Sequence, residues 1–456
     1  MTALREIVPS WDDAPSGPDA GPRHVLRREY FGALVYDRET CQYVPYDVEA
    51  TELLLARARG PRAPADATEA AFLETLVREE VLDARGELRA RVVADRSATG
   101  RLSAPLTVYV GATQGCNLAC SHCSSGSSPG PLGALDEGLL RRLFGELHEV
   151  GCQQVHVTGG EPLLHPGLFP ALDEAFRLGL NVLLTTNGTL ITEDLADALS
   201  ARPFRCVSVS FDGPDPASHD LVRGPGAFVR ALEGLERLAA RRPVGVTATF
   251  TSALSGGALS GKLEKLVRLC EEKGASSLSL RPALPAGRAR LEDLPGQSEF
   301  EEATRELDRL QESARIPLFH PPDVPHSATS ALVLERFGCV AGNLVCSVTP
   351  SGQVSPCSLL GPSFDAGSLR ERSFHDLWAR GSSFERLRAV EGNADCWSCR
   401  HYDHCGGGCR ARALAATGDL SAPDPWCKWE PHPSLVGDPG LAGFDADARR
   451  RLLVLP

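Results

Sequence analysis

The 456-residue sequence has no run of eighteen apolar residues, so no membrane-spanning helix and no membrane partner are expected. Its opening stretch, MTALREIVPSWDDAPSGPDAG, lacks the apolar core of a secretion signal, which makes a cytoplasmic location the expectation. Positive charge is not in surplus either. Lys and Arg number 47 against 59 Asp and Glu, a net charge of −12, which argues against a general binder of nucleic acid, whose phosphates call for cationic surface. No strand-like segment is followed by GxGxxG or a Walker loop, which lowers a nucleotide-binding Rossmann reading. What the chain does have is 15 cysteines. An odd number in a reducing compartment fits a disulfide framework poorly. Three cluster at Cys116, Cys120 and Cys123, and eight lie between Cys339 and Cys427. Cys41, Cys152, Cys206 and Cys270 stand alone and read as small buried hydrophobes. The two clusters point instead to soft-metal or iron–sulfur ligation.

Residues 1–24, rich in Pro, Gly, Asp and Ser, read as a flexible tail. Phe31–Tyr46 carries two short strand patterns around the polar stretch Asp37–Thr40, a hairpin signal. Helical periodicity follows at 48–58 and 67–82, and short segments to about Val93 complete a module over 25–95 that resembles a winged helix. From Leu106, strand-like runs LTVYV, QVHVT, NVLLTT, VSVSF, VGVTATF and SLSLR alternate with amphipathic segments. Asp136 and Glu137 suit the positive end of one such helix, and Thr192 suits the N-cap of another. Six βα units imply a parallel sheet, either doubly wound or a full or partial barrel, with chemistry at the C-terminal strand ends. Residues 282–330 are Pro-rich with one helical stretch at 299–313 and read as a connector. Beyond 339 the apolar content looks too low for a conventional core, so metal sites are expected to hold that segment together.

The first strand runs into GATQGCNLACSHC, a Cys-x3-Cys-x2-Cys loop. Three thiolates in one loop leave one iron of a cubane open, and an open metal position is where catalysis takes place. Here the chain resembles the radical S-adenosylmethionine (radical SAM) superfamily, over roughly 105–320, which implies a partial (β/α)6 TIM-like barrel. Thr158-Gly159-Gly160-Glu161-Pro162, after the second strand, is similar to the family's GGEP segment, whose backbone contacts the methionyl amino group. Asn187 in TNG, Ser210 and Asp212 in SFDG, and Arg223 in HDLVRG occupy positions that the resemblance assigns to the cofactor, Arg223 to the methionyl carboxylate. One departure is His122, which stands where the family often has an aromatic residue near adenine.

The C-terminal spacing resembles the SPASM extension of radical SAM enzymes, over about 335–430, and implies two auxiliary [4Fe–4S] clusters, three in all with the loop cluster. The resemblance gives Cys396, Cys399, Cys405 and Cys427 to the outer cluster and Cys339, Cys357 and Cys409 to the inner one. Cys346 is either the fourth inner ligand or a buried strand thiol that leaves one iron open. Residues 431–456 read as a C-terminal tail. The cysteine-rich end is also similar to that of mycofactocin maturases and pyrroloquinoline-quinone synthesis enzymes.

The segment RREYFGALVYDRETCQYVPYDVEATELL resembles the PqqD-like element that captures leader peptides by adding a strand to a sheet edge. Together these resemblances imply a cytoplasmic oxidoreductase. Using S-adenosylmethionine, it would generate a 5′-deoxyadenosyl radical and modify a ribosomally made precursor peptide by crosslinking, oxidative decarboxylation or epimerisation. An electron donor such as flavodoxin or ferredoxin is an implied partner. Rival expectations are a sulfatase-maturase-like modifier of folded protein, an enzyme of small molecules, and a non-catalytic iron–sulfur scaffold.

Overall fold

The computed structural model describes residues 21–130, 133–255, 259–291, 294–320, 339–390, 396 and 407–427. Its N-terminal part is a four-stranded sheet in the order β3-β2-β1-β4. It comprises β1 (His24–Glu29), β2 (Gly32–Asp37), β3 (Gln42–Tyr46) and β4 (Ala90–Val92), with helices α1 (Val48–Arg57) and α2 (Ala67–Arg78). The side chains of Asp47 and Asp66 cap the two helices by accepting from Ala50 and Glu69 N–H. The expected hairpin is β2–β3. The strand β1 was not anticipated, and it begins at His24, the last residue of the expected tail. Its sequence HVLRRE lacks clean alternation because both faces are covered: Leu26 enters the small core of this module, while Arg27 and Glu29 turn toward the rest of the molecule.

Six parallel strands follow: β5 (Thr107–Thr113), β6 (Gln154–Gly159), β7 (Asn181–Thr186), β8 (Cys206–Ser210), β9 (Gly245–Phe250) and β10 (Ser277–Pro282). The intervening helices are α3 (Glu137–Glu149), α4 (Leu168–Arg177), α5 (Glu193–Ser200), α6 (Pro216–Arg223), α7 (Ala227–Ala239), α8 (Ser252–Ser255) and α9 (Leu259–Glu272). Asp136 caps α3 and Thr192 caps α5, as their positions predicted. The sheet does not close, as a partial (β/α)6 barrel requires. Alternation along each strand separates two environments. Val108, Val155, Val182, Val207, Val246 and Leu278 lie in the continuous core under the helices. The intervening positions, such as Tyr109, His156, Thr185, Ser208, Thr247 and Ser279, face the lumen by the two-residue period of a strand.

Two expectations need correction. The stretch after Pro282 is no mere connector. Helix α10 (Gln297–Gln311) packs Phe300 against Phe250 with ring centroids 5.6 Å apart, and β11 (Leu318–Phe319) pairs with β10. Proline density misled because Pro282 ends a strand instead of preventing one. The cysteine-rich part is also not short of core. Its strand β12 (Val345–Val348) pairs in parallel with β5, followed by β13 (Gln353–Ser355) and β14 (Gly367–Ser368). Helices α11 (Phe374–Arg380) and α12 (Ser382–Arg388) bring Phe374, Trp378 and Phe384 into the barrel core. A short last helix, Arg410–Thr417, completes the described elements. Among the described residues no helix is long and apolar enough to cross a membrane.

The N-terminal module sits on the barrel floor, at the starting ends of the strands. Arg27 donates to Glu29 at 2.6 Å, to Ala104 O at 2.9 Å, and to Pro105 O and Gly151 O at 3.2 Å each. Glu29 accepts from Ser103 N–H at 2.7 Å. Tyr43 donates to Leu106 O at 2.9 Å, and Asn181 donates to the Tyr36 hydroxyl and Arg38 O. Chemistry at the strand tops is therefore a barrel's height away from this module.

Candidate metal and cofactor site

The loop after β5 gathers Cys116, Cys120 and Cys123 around Leu118 and Ala227. Burial pushes the Cys120 thiol up to about 11, with Arg223 pulling against it and the other two thiols adding to the rise. Burial likewise raises Cys116, whose sulfur accepts from Leu118 N–H at 3.4 Å. Three thiolates so placed repel one another and call for a polycationic partner. They form a patch, and among the described residues no three His, Cys, Asp or Glu side chains converge as a cage for a single ion.

Backbone holds this loop from two sides. Gly160 N–H donates to Thr113 O at 2.6 Å and Glu161 N–H to Gly115 O at 2.9 Å. A Cβ at residue 160 would lie 2.1 Å from Gly115 O, so the glycines of GGEP let the end of β6 press against the cysteine loop itself. Because those two amides are spent, it is the carbonyls of Gly159 and Gly160, as acceptors, that suit an ammonium group. On the other side Gly287, at φ +61°, would place a Cβ 2.3 Å from Cys123 O. Arg288 then donates to Cys120 O at 2.9 Å and Ser127 O at 2.7 Å. Sequence reasoning missed Gly287 and Arg288, which stand in the stretch read as a connector. The GR pair six residues past a strand was the available signal.

Several residues at the positions assigned to the cofactor also hold one another. Glu161 is fully buried, and its carboxylate accepts from Thr186 Oγ1 at 2.7 Å, Asn187 N–H at 2.8 Å and Leu163 N–H at 3.1 Å. It ties the end of β6 to the end of β7. Asn187 donates to Asn117 Oδ1 at 2.8 Å and accepts from Thr189, leaning toward Cys116. Asn117 and Thr189 are further members of this network that the motifs alone did not disclose. Asp212 is fully buried and accepts from Thr249 N–H at 2.8 Å and Arg223 Nε at 2.5 Å, with His122 Nε2 3.2 Å away. Despite burial, the neighbouring Arg223 and His122 hold its carboxyl down at about 2. The Glu161, Asn187 and Asp212 side chains are thus held in place by protein donors and acceptors at the strand tops. Arg223 belongs to the same network. Asp212 fixes its Nε, and its terminal nitrogens carry no hydrogen bond to the described protein. Ser210, at the top of β8, has a lumen-facing register. His122 is mostly buried, its Nδ1 has no protein partner, and burial lowers its pKa.

In the C-terminal part Cys339, Cys357 and Cys409 pack together around Ala341, Leu360 and Ala411. Burial and the other two thiols push Cys357 up to about 12. Asp424, which the spacing did not reveal, accepts from Cys409 N–H at 2.6 Å and from Arg412 at 2.5 Å, and its carbonyl accepts from Cys427 N–H. Cys346 does not join this group. It pairs with Val108 in the β12–β5 register and faces the apolar core, with Cys152 as its thiol neighbour. Of the two alternatives for Cys346, strand parity here gives the buried strand thiol, with its side chain on the helix side of the sheet. Cys396 is buried and Cys427 exposed, while Cys399 and Cys405 lie outside the described residues. Of the lone cysteines, Cys41, Cys152 and Cys270 are buried, and Cys206 is half-buried on a lumen-facing register.

Known proteins match this arrangement. Residues 110–256 match the model of the radical SAM superfamily, and residues 339–401 that of the SPASM iron–sulfur cluster-binding domain. The AdoMet-dependent heme synthase of Methanosarcina barkeri is 32% identical over 72% of this chain and 98% of its own length. The mycofactocin maturase MftC of Mycobacterium tuberculosis is 30% identical over 76% of this chain and 90% of its own. The structure of Streptococcus suis SuiB bound to S-adenosylmethionine superimposes with a TM-score of 0.72 at 16% identity, covering 89% of this chain and 99% of SuiB. The chain belongs to the radical SAM superfamily, whose cofactors are S-adenosylmethionine and a [4Fe–4S] cluster, and it carries the SPASM iron–sulfur domain.

Proposed function

We propose that this enzyme modifies a precursor peptide, captured through a leader segment by the N-terminal module. The observation that carries the reading is the sheet order β3-β2-β1-β4, which leaves β3 at an edge with every residue of Gln42–Tyr46 partly exposed. An extended peptide adds to such an edge through backbone hydrogen bonds. The fold match supports a dedicated module: residues 96–456 make up less than four fifths of the chain, so coverage of 89% reaches into the N-terminal sheet. SuiB has also been crystallised with its precursor peptide SuiA. MftC and the PqqA peptide cyclase of Ruegeria pomeroyi, 29% identical, are relatives named for peptide substrates.

In this reading Cys116, Cys120 and Cys123 hold the radical cluster, whose bound S-adenosylmethionine supplies a 5′-deoxyadenosyl radical for hydrogen abstraction. Arg223, set by Asp212, receives the methionyl carboxylate, and the carbonyls of Gly159 and Gly160 receive the amino group. Ser210 faces the ribose. Cys339, Cys357 and Cys409 hold an inner auxiliary cluster with one ligand position left to a non-cysteine group. Cys396, Cys399, Cys405 and Cys427 hold an outer one, three clusters in all. A small acidic electron carrier such as flavodoxin or ferredoxin supplies the electrons.

The similarity to heme synthase favours a second reading, a small-molecule substrate, because that relative matches over 98% of its length. One experiment separates the two. The reconstituted enzyme is titrated with leader-like peptides encoded beside its gene, and binding is followed with wild type and with Val44→Lys, which puts a charge on the edge strand. The peptide reading expects binding that the variant weakens. No binding to any such peptide, together with 5′-deoxyadenosine formation stimulated by a tetrapyrrole, establishes the second reading.

A further inference from the structure

The polar lumen contains one feature that neither the cofactor network nor the family matches account for. Of the residues that β5–β10 direct inward, Arg281 is the one cation. It stands near the top of β10, in register with Thr249, and is exposed although its strand lies inside the sheet. Among the described residues it has no carboxylate partner. Its charge is felt by two lumen neighbours, Tyr109 and His156. These two stand opposite each other in the β5–β6 register, their rings 5.1 Å apart at 36°. Tyr109 is 40% exposed, again because it faces the lumen. His156 Nε2 lies 2.8 Å from Thr185 Oγ1, which fixes the ring edge-on to the cavity. Burial first and Arg281 second lower His156 to about 4, so it is neutral at pH 7. Tyr109 also lies close enough to Cys357 for that thiol to act on it. Tyr109 thus stands on the side of the lumen nearest the inner thiol group.

An exposed guanidinium at a cavity wall with no carboxylate partner among the described residues keeps its donors for an anion that arrives. One arginine beside one phenol, with no second cation, matches a single negative charge on a planar group. That is a carboxylate rather than a phosphate, which draws two or more cationic donors.

We propose that Arg281, with Tyr109 and His156, forms an anion subsite in the barrel lumen that receives a carboxylate of the substrate. This rests on the lumen being the substrate cavity, and it narrows the substrate of the proposed reaction to one presenting a carboxylate near the carbon that reacts. Arg281 is then a specificity residue, Tyr109 supplies a second donor, and neutral His156 keeps the subsite's charge at one.

The test uses the reconstituted enzyme with S-adenosylmethionine and two probes of nearly equal shape, 3-phenylpropionate and 3-phenylpropionamide, titrated calorimetrically. Wild type should bind the acid at least about tenfold more tightly than the amide, the gain of one charged hydrogen-bond pair. Arg281→Gln, verified to keep wild-type iron content and visible circular dichroism, should erase the preference. Arg281→Lys should keep part of it, and Tyr109→Phe should weaken acid binding without touching the amide. Equal affinities in wild type, no binding of the acid, or a preference that survives Arg281→Gln would each overturn the proposal. The acid preference is independent of leader binding. If it is present while no leader-like peptide binds, the peptide reading fails and the subsite stands; leader binding with no acid preference has the opposite meaning.

Discussion

Each end of the barrel buries an arginine–carboxylate pair, and the two are finished differently. On the floor, Arg27 meets Glu29 and three backbone carbonyls, and Glu29 also takes the Ser103 amide, so both charges are closed off by protein. At the top, Asp212 takes the Thr249 amide and Arg223 Nε, but Arg223 gives it only Nε, and the neighbouring His122 keeps an unmatched Nδ1. A network completed within the chain joins two parts of a molecule, whereas one with directed donors left over is a binding site in waiting. The N-terminal sheet is therefore fastened to the barrel, and the upper loops are held in shape around something the chain does not itself supply.

Changing one end at a time separates these roles, beginning with the largest effect. Replacing Cys116, Cys120 and Cys123 together by Ala should abolish 5′-deoxyadenosine formation and lower bound iron from about twelve toward about eight per chain, at four per cluster. Iron analysis and product chromatography give the result, and unchanged iron would break the assignment of these thiols. On the floor, Glu29→Ala should destabilise by about 3–5 kcal/mol, since it leaves Arg27 buried without its counter-charge. Urea unfolding reads this, and a loss below about 1 kcal/mol would mean that the module is not fastened as described. At the top, Asp212→Asn in the metal-free chain should cost less, about 2 kcal/mol at pH 7, from a carboxyl lowered to about 2. The sign follows from the depressed pKa: the stabilisation is complete above the ordinary carboxylate range and lost as pH falls from about 4 through 2. Wild type and variant should therefore converge in acid, and a gap that widens there contradicts the assignment.

The sequence carried much of the top and little of the floor, for physical reasons. Cysteine spacing is local, so Cys116, Cys120 and Cys123 announce themselves within eight residues. The six parallel strands of the barrel were legible because each βα unit repeats one period. By contrast Arg27 reaches residues 77 and 124 positions away, and a lone Arg in a strand has no signature of such reach. Glu161 and Asp212 make a related point: a motif names a position, but only packing shows which protein donors its carboxylate accepts. The inward residues His156 and Arg281 were readable in QVHVT and SLSLR as the polar members of an alternation whose apolar members alone were counted.

The contrast between closed and open groups also divides a thiol of β12 from one in the loop after β13, and here the expected effect is smallest. Cys346 and Cys357 are only eleven residues apart in sequence, yet the first faces aliphatic core beside Cys152 and the second faces Cys339 and Cys409. Cys346→Ala should leave iron content and the auxiliary-cluster spectrum unchanged and cost about 1 kcal/mol, the removal of one small buried group. Cys357→Ala, the larger change by iron content, should remove the inner cluster. Should Cys346→Ala lose iron instead, β12 must rearrange when the cluster is built, because in its present register the side chain lies on the opposite side of the sheet from any site that Cys357 can reach.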